Sequence, residues 1–201
     1  MNDITRNLLI ILITCVLTEN FVLSQFLGIC PFLGVSKKTA SSVGMGLMIT
    51  FVMFFATILT FPIYYFILAP LNVEFMNTIA FILIIALFVQ LTELILKKHF
   101  PALNKSLGIY LPLMTTNCAI LGVTIMNVSG EFSFLEAVFN AFCAGLGFLL
   151  VMIVFSGVRA RMERCDIPVS LHGMPITLIA AGIMSLSFIG FGGMVEGIFG
   201  G

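Results

Sequence analysis

The sequence predicts an all-α integral membrane protein with six transmembrane helices. Hydrophobic residues make up 60% of the 201 residues and charged residues only 9%, which is far from the balance of a soluble domain. Cutting the chain at its charged and turn residues leaves segments of about 20 or more mostly apolar residues, the length that crosses a bilayer core. The formal net charge is zero, so the predicted environment is the lipid bilayer and no basic surface indicates a nucleic-acid partner.

Six apolar segments define the predicted spans. They lie at residues 7–35, 40–68, 76–96, 107–128, 133–158 and 175–195. The first is longer than one crossing needs and contains Gly28 and Pro31, and the fourth contains Pro112 and Gly122. Because proline removes a backbone donor and glycine eases irregular turns, we expect broken helices in spans 1 and 4. Lipid cannot satisfy freed amides, so such breaks must be buried in protein or line a polar cavity.

The basic residues predict the orientation in the membrane. Eight of the nine Lys and Arg residues follow the first, third and fifth spans, and only Arg6 lies on the other side. The positive-inside rule therefore places these three loops in the cytoplasm and both termini outside.

Two pairs of similar short sequences indicate an internal duplication. The phrase Cys30-Pro-Phe-Leu-Gly-Val-Ser36 in the first span resembles Cys118-Ala-Ile-Leu-Gly-Val-Thr124 in the fourth. A second pair of phrases, Gly44-Met-Gly46-Leu and Gly145-Leu-Gly147-Phe, matches the second span to the fifth. For the glycine pairs, close helix packing is favoured over contact with a cofactor.

Each half of the chain has an odd number of predicted spans, so a duplicated half inserts upside down relative to its copy. We therefore predict a single membrane domain, residues 1–201, built from two inverted three-helix repeats at about 1–98 and about 106–201. Inverted repeats place their shared site near the bilayer midplane, on discontinuous helices.

Cys30 and Cys118 are the candidate metal ligands. A repeated thiol beside irregular backbone points to a thiolate-bound redox centre held away from water, since freed amides can donate hydrogen bonds to sulfur. The alternative is that each cysteine fills a helix contact as a small buried residue, as most free cysteines do. A site of four thiolates would take half of its ligands from this chain.

The other cysteines are weaker candidates. Cys15 lies away from any break, and Cys143 lies beside a glycine packing motif. Cys165 shares a polar loop with His172. One Cys and one His fall short of the usual four zinc ligands, which favours a reduced loop thiol.

Several polar residues fall within the predicted spans. Glu19 and Asn20 are candidates for an ion pathway, since an ionisable group inside a membrane is a functional hypothesis by default; a structural hydrogen-bonding role is the alternative. Asn117 could donate to a cluster sulfur or satisfy broken backbone, and the second role is favoured. Glu93 is expected to form a paired surface group near Lys97.

The cysteine phrases also carry a family resemblance. The runs at residues 19–38 and 107–122, which contain Cys30-Pro-Phe and Thr115-Thr-Asn-Cys118, closely resemble the RnfA members of the Rnf complex. They are also similar to the NqrE members of the sodium-pumping NADH:quinone oxidoreductase, Nqr. The resemblance covers essentially the whole chain, and the two motifs favour the Rnf member.

The resemblance implies a non-autonomous membrane subunit of an ion-translocating ferredoxin:NAD+ oxidoreductase, in a bacterial cytoplasmic (inner) membrane. It implies that Cys30 and Cys118 hold a [2Fe-2S] cluster together with two cysteines of the homologous RnfE protein. Ferredoxin and NAD would be reached only through the other members of the complex, RnfB, RnfC, RnfD and RnfG. The chain itself has no dinucleotide fingerprint and no ferredoxin-like cysteine run.

A hypothesis for energy coupling follows from this layout. Reduction of the cluster would alter the packing of the half-helices around it and switch access of Na+ or H+ between the two sides, as in alternating-access transporters. The competing interpretations are an inverted-repeat secondary transporter with packing cysteines, and a scaffold protein with no site of its own.

Overall fold

The described residues form helices joined by turns, and no strand occurs among them. A computed structural model of the chain describes residues 12, 15–16, 20–36, 39–68, 76–99 and 114–199. The α-helices within these ranges are α1 Ile29–Val35, α2 Thr39–Ile63, α3 Asn77–His99, α4 Cys118–Ser129, α5 Phe134–Met162 and α6 Met174–Phe199. A π-helical turn, Tyr64–Leu68, continues α2, and a 3-10 turn, Val169–Leu171, lies between α5 and α6. The all-α prediction is confirmed for these ranges.

Three helices in the described part of the chain are long and apolar enough to cross a membrane. They are α2 with its π turn, α3 as far as Ile95, and α5. They confirm the spans predicted at 40–68, 76–96 and 133–158. The span predicted at 175–195 is helical throughout, as part of α6.

The first and fourth predicted spans are helical only in part. Residues 20–28 form turns before α1 begins, and residues 7–11, 13–14 and 17–19 lie outside the described residues. In the fourth segment, residues 116–117 are not helical and α4 begins at Cys118. Gly122 lies inside α4, and Pro112 lies outside the described residues.

The two longest spans, α2 and α5, pack against each other in antiparallel orientation. The Ser156 hydroxyl donates to the Thr39 hydroxyl at 3.1 Å near one end of the pair. Further along, a Cβ on Gly46 would lie 2.5 Å from a methyl carbon of Leu149, and one on Gly145 would lie 2.8 Å from the Cα of Thr50. The predicted packing role of these two glycines is confirmed, because they bring the helix backbones together.

Helices α1 and α4 lie along α5 in opposite directions. Phe32 of α1 stacks on Phe155, with ring centroids 4.1 Å apart, so α1 follows the second half of α5. Asn127 of α4 accepts a hydrogen bond from Asn140 at 2.6 Å, so α4 follows the first half. Both helices begin beside Phe148, which is near the middle of the 29-residue α5.

Helix α3 is the least buried of the three long apolar helices. Only 17% of the α3 span is buried, against 56% of the α5 span. The outward residues of α3 are leucines and isoleucines, including Leu83, Leu87, Leu91 and Leu94. Such a face suits lipid or a partner helix.

Charged residues mark one end of the helices. Glu93 and Lys97 form the expected surface pair, with the Lys Nζ 2.7 Å from a carboxylate oxygen. The end of the fifth span differs from the prediction, because α5 continues to Met162 and Arg159 is part of it. Arg159 is therefore buried rather than a loop residue, with 8% of its surface exposed.

Candidate metal centre

Cys118 is the first residue of α4, and the local sequence explains why the helix begins there. The preceding residue, Asn117, has extended backbone angles and caps the helix. Its Oδ1 accepts a hydrogen bond from the backbone N–H of Ala119 at 3.0 Å. Asparagine is among the preferred N-cap residues because its short side chain reaches the first free amides. The predicted role of Asn117 in satisfying irregular backbone is confirmed.

Gly28 connects the segment that contains Cys30 to the segment that contains Cys118. Its backbone N–H donates to the Sγ of Cys118 at 3.0 Å. Its φ of +82° is left-handed, a conformation that favours glycine. A Cβ on Gly28 would lie 2.8 Å from Phe148 and 3.1 Å from the Cβ of Ala119. No larger residue fits here unless the two turns move apart.

Cys30 is the second residue of α1, two positions after Gly28. Pro31 is buried in the first turn of this helix, where the missing N–H would have no helical partner in any case. The irregular backbone of the first span therefore lies before Pro31, in residues 20–28, and the proline belongs to the start of α1.

Both thiols are exposed on the chain, although they lie beside the middle of α5. Helical rise places Phe148 roughly 20 Å from either end of α5. Among the described residues, no group of three His, Cys, Asp or Glu side chains lies close enough to hold a metal ion. Any site with more than two ligands at this position would need side chains from elsewhere.

An unsatisfied donor lies next to Cys118. The side chain of Asn117 is only 5% exposed, and its Nδ2 has no hydrogen-bond partner among the described residues. A buried amide without a partner costs about 1–3 kcal/mol. Cluster sulfurs accept hydrogen bonds, so the thiols, the Gly28 amide and this Nδ2 form a donor set that fits an iron–sulfur group.

Asn20 is fully engaged with the backbone. Its Nδ2 donates to the carbonyl of Gly147 at 2.9 Å, and its Oδ1 accepts from the N–H of Val22 at 3.1 Å. This arrangement favours the structural role, and an ion-pathway role stays a prediction. Glu19 lies outside the described residues.

The remaining cysteines have other surroundings. Cys143 is completely buried in α5. Cys165 is exposed, with its Sγ 3.6 Å from the carbonyl oxygen of Arg161. Cys15 is buried and donates to the Oδ1 of Asn140 at 2.8 Å.

The contact of Cys15 belongs to a polar chain that sequence reasoning missed. Asn140 donates in turn to Asn127 at 2.6 Å, and Asn127 donates to the carbonyl of Ala137 at 3.3 Å. The sequence does contain a signal for this chain of hydrogen bonds. Two asparagines lie within otherwise apolar spans, and buried amides need hydrogen-bond partners.

These features define a helical membrane protein in which two cysteine-bearing helices begin side by side beside the middle of a third. The chain belongs to the Rnf-Nqr family of membrane subunits, whose sequence profile matches residues 8–195.

Relatives of similar length agree with this assignment. The chain is 52% identical over 190 residues, 94% of this chain and 99% of the relative, to the A-type subunit of the Na+-translocating ferredoxin:NAD+ oxidoreductase complex of Acetobacterium woodii. It is 48% identical over 96% of its length to the A-type subunit of an ion-translocating oxidoreductase complex of Syntrophotalea carbinolica, which is covered completely. The corresponding protein of Aliivibrio salmonicida is 50% identical over 94% of this chain and 97% of the relative. The resemblance to RnfA is confirmed.

Proposed function

We propose that this chain is the A-type membrane subunit of an ion-translocating ferredoxin:NAD+ oxidoreductase. In this proposal Cys30 and Cys118 supply two of the four thiolate ligands of a [2Fe-2S] cluster within the bilayer. The observation that carries it is the hydrogen bond from the Gly28 amide to the Cys118 sulfur, which holds the two exposed cysteine turns together. When bound, the cluster would accept and release single electrons.

The residues around the thiols support this role. A thiolate needs donors and a nearby positive charge when it lies away from water. The Gly28 amide already points at one sulfur, and the Asn117 Nδ2 is a second, unused donor. Packing alone would leave this buried Nδ2 unexplained, so the set favours a ligand over a simple helix contact.

The partner is proposed to be the homologous RnfE protein, docked where the thiols are exposed. Two ligands from this chain require two more from outside it. We further propose that the opposite directions of α1 and α4 along α5 reflect two inverted repeats, with the helix starts at 29 and 118 as their midplane breaks. RnfB, RnfC, RnfD and RnfG would connect this pair to ferredoxin and NAD.

The link to ion transport is proposed to run through residues 20–28. This segment contacts the Cys118 sulfur through Gly28 and α5 through Asn20, and it accepts a hydrogen bond from Ser185 of α6 at the Leu23 carbonyl. A change of charge at the thiolates therefore acts first on this non-helical segment, which contacts three helices. If Cys30→Ala removed the cluster and left Na+ or H+ pumping intact, this coupling would be wrong.

The ligand assignment is tested by the iron–sulfur content of the purified complex. Cys30→Ala and Cys118→Ala are each expected to remove one [2Fe-2S] centre, measured as lost iron, lost visible absorption and a lost reduced-state EPR signal. Cys165→Ala is the matched control, because this thiol is also exposed but lies in the loop after α5. Full iron content in either variant of the proposed ligands would remove that residue from the site.

A further inference from the structure

A cavity of about 510 Å³ lies at the end of α5 that carries the arginines. Its wall combines the end of α1, the end of α5 and the first turn of α6, with Leu33, Arg159, Glu163, His172, Met174 and Thr177 among the lining residues. None of these residues takes part in the proposed cysteine site.

Arg159 is the buried charged residue among those that line this cavity. Its Nη1 donates to the carbonyl of Leu33 at 2.9 Å and to the Ser36 hydroxyl at 2.7 Å, both at the end of α1. No carboxylate lies within ion-pair distance of it among the described residues, where Glu93 and Lys97 form the ion pair that is seen. The buried charge is thus hydrogen-bonded but makes no direct ion pair among the described residues, although Glu163, four residues further along the chain, lines the same cavity.

The remaining donors of Arg159 have no such partners. A guanidinium also carries N–H groups on Nε and Nη2, and in the described part of the chain only Nη1 makes hydrogen bonds. A buried cation without a counter-charge is unfavourable. An anion in the cavity would neutralise it and could accept from the free edge of the guanidinium.

A second part of the cavity wall also favours negative charge. It is formed by Gly173, Met174, Ile176 and Thr177, the cap and first turn of the 26-residue α6. Amides in a first helical turn lack intrahelical acceptors, and the helix dipole is positive there. The exposed side chain of His172 lines the same space.

We propose that this cavity binds a phosphate group, held between the guanidinium of Arg159 and the first turn of α6. Two sources share this chemistry: the headgroup of an anionic phospholipid, and a free phosphate ion. Basic pockets between helices at the cytoplasmic side of a membrane bind anionic headgroups, which suits the position of the cavity at the arginine-bearing end of α5. The carboxylate of Glu163, on the rim of the same cavity, opposes binding and sets its strength.

Thermal unfolding of the intact, delipidated complex in detergent tests the proposal. Its midpoint is measured during titration with phosphatidylglycerol, with phosphatidylcholine and with inorganic phosphate. We expect saturable stabilisation by phosphatidylglycerol but not by phosphatidylcholine if the source is lipid, and by inorganic phosphate as well if a free ion suffices. No stabilisation by either anionic probe would overturn the site.

Single substitutions test whether the stabilisation by anionic probes arises from binding in this cavity. In Arg159→Gln, half-saturation is expected at a concentration at least about tenfold higher, because a charge-assisted pair is lost. Arg161→Gln is the control, since Arg161 is exposed on the same helix and does not line the cavity. Equal binding by Arg159→Gln and wild type would contradict the proposal.

A second variant keeps the test decisive if Arg159→Gln fails to assemble. Glu163→Gln removes the one carboxylate among the described lining residues and leaves the Arg159 contacts in place. It is expected to bind the anionic probe several-fold more tightly than wild type. Unchanged or weaker binding would place the phosphate elsewhere.

Discussion

Gly28 determines how closely the two cysteine turns approach one another. Its left-handed φ and the absence of a side chain let its amide reach the Cys118 sulfur. Phe148 and Ala119 occupy the space that a Cβ would need. A single residue type therefore fixes the geometry of the proposed ligand pair.

Gly28→Ala is predicted to destabilise the protein by about 2–4 kcal/mol, from left-handed strain and overpacking together. The readout is the midpoint of thermal unfolding of the purified complex. Gly182→Ala is the control, since nothing lies within 4 Å of a Cβ there, and alanine inside a helix is neutral or slightly stabilising. Equal midpoints for both variants would show that the close approach at Gly28 is not needed.

Asn117→Ser is predicted to lower the reduction potential of the cluster while leaving the fold intact. Serine caps helices about as well as asparagine but lacks the Nδ2 donor. Losing one hydrogen bond to sulfur, worth about 1 kcal/mol, corresponds to a shift of roughly 40 mV for one electron. An EPR-monitored redox titration measures it, and an unchanged potential would mean that Nδ2 donates elsewhere.

At the residue scale, the sequence was most informative where a residue type is rare at membrane depth. Cys30 and Cys118 could be proposed from their repeated phrase. The position of Arg159 inside α5 could not be predicted, because three arginines close together after an apolar span indicate a loop. Its spacing of four residues from Phe155, which is buried on α5, was the signal that it lies on the same inward face.

At the scale of elements, the contact between α2 and α5 is the central helix–helix contact of the described structure. Both helices carry apolar residues on their exposed faces as well as on their buried faces, so hydrophobicity alone does not determine their contact faces. The glycines do, because they remove the side chain where the helices come closest. At Gly145 the close neighbours are side-chain atoms of Thr50 and also its Cα, and a backbone atom cannot rotate away.

Gly145→Ala is accordingly predicted to destabilise the protein by about 1–3 kcal/mol through overpacking. Gly157→Ala on the same helix has open space at its Cβ and should be neutral or stabilising by up to about 1 kcal/mol. Thermal unfolding of the two variants side by side measures the difference. If Gly145→Ala were as stable as Gly157→Ala, the close packing of α2 on α5 would not contribute to stability.

The elements differ in how well the sequence predicts them. The spans at 40–68, 76–96 and 133–158 follow from length and hydrophobicity, because lipid forces a continuous helix. The start of α4 at Cys118 depends instead on an N-cap, and the turns at 20–28 depend on contacts with distant helices. Such tertiary contacts leave no periodic signal in the chain.

At the scale of the whole molecule, α1 and α4 begin beside the middle of α5 and diverge. Their starts bring two exposed thiols to one level, while α3 and α6 present apolar outer faces. Within the described residues no group of three metal-ligating side chains comes together, which agrees with the proposal that the site is shared between two proteins.

The proposed orientation predicts the side from which Cys165 reacts. This exposed thiol follows α5, in the loop assigned to the cytoplasm by its arginines. A membrane-impermeant maleimide should label it in inverted membrane vesicles and not in intact spheroplasts, with Cys165→Ser as the unlabelled control. Labelling of Cys165 in spheroplasts would reverse the topology.

The central claim, that Cys118 and Cys30 are cluster ligands, is tested most directly by the reduced-state EPR spectrum of the intact complex carrying Cys118→Ser. Serine keeps the size of the side chain and can still offer oxygen to iron. The account predicts that one [2Fe-2S] signal shifts in g-values or disappears, while Cys165→Ser leaves every signal unchanged. A Cys118→Ser spectrum identical to that of the wild type would contradict it.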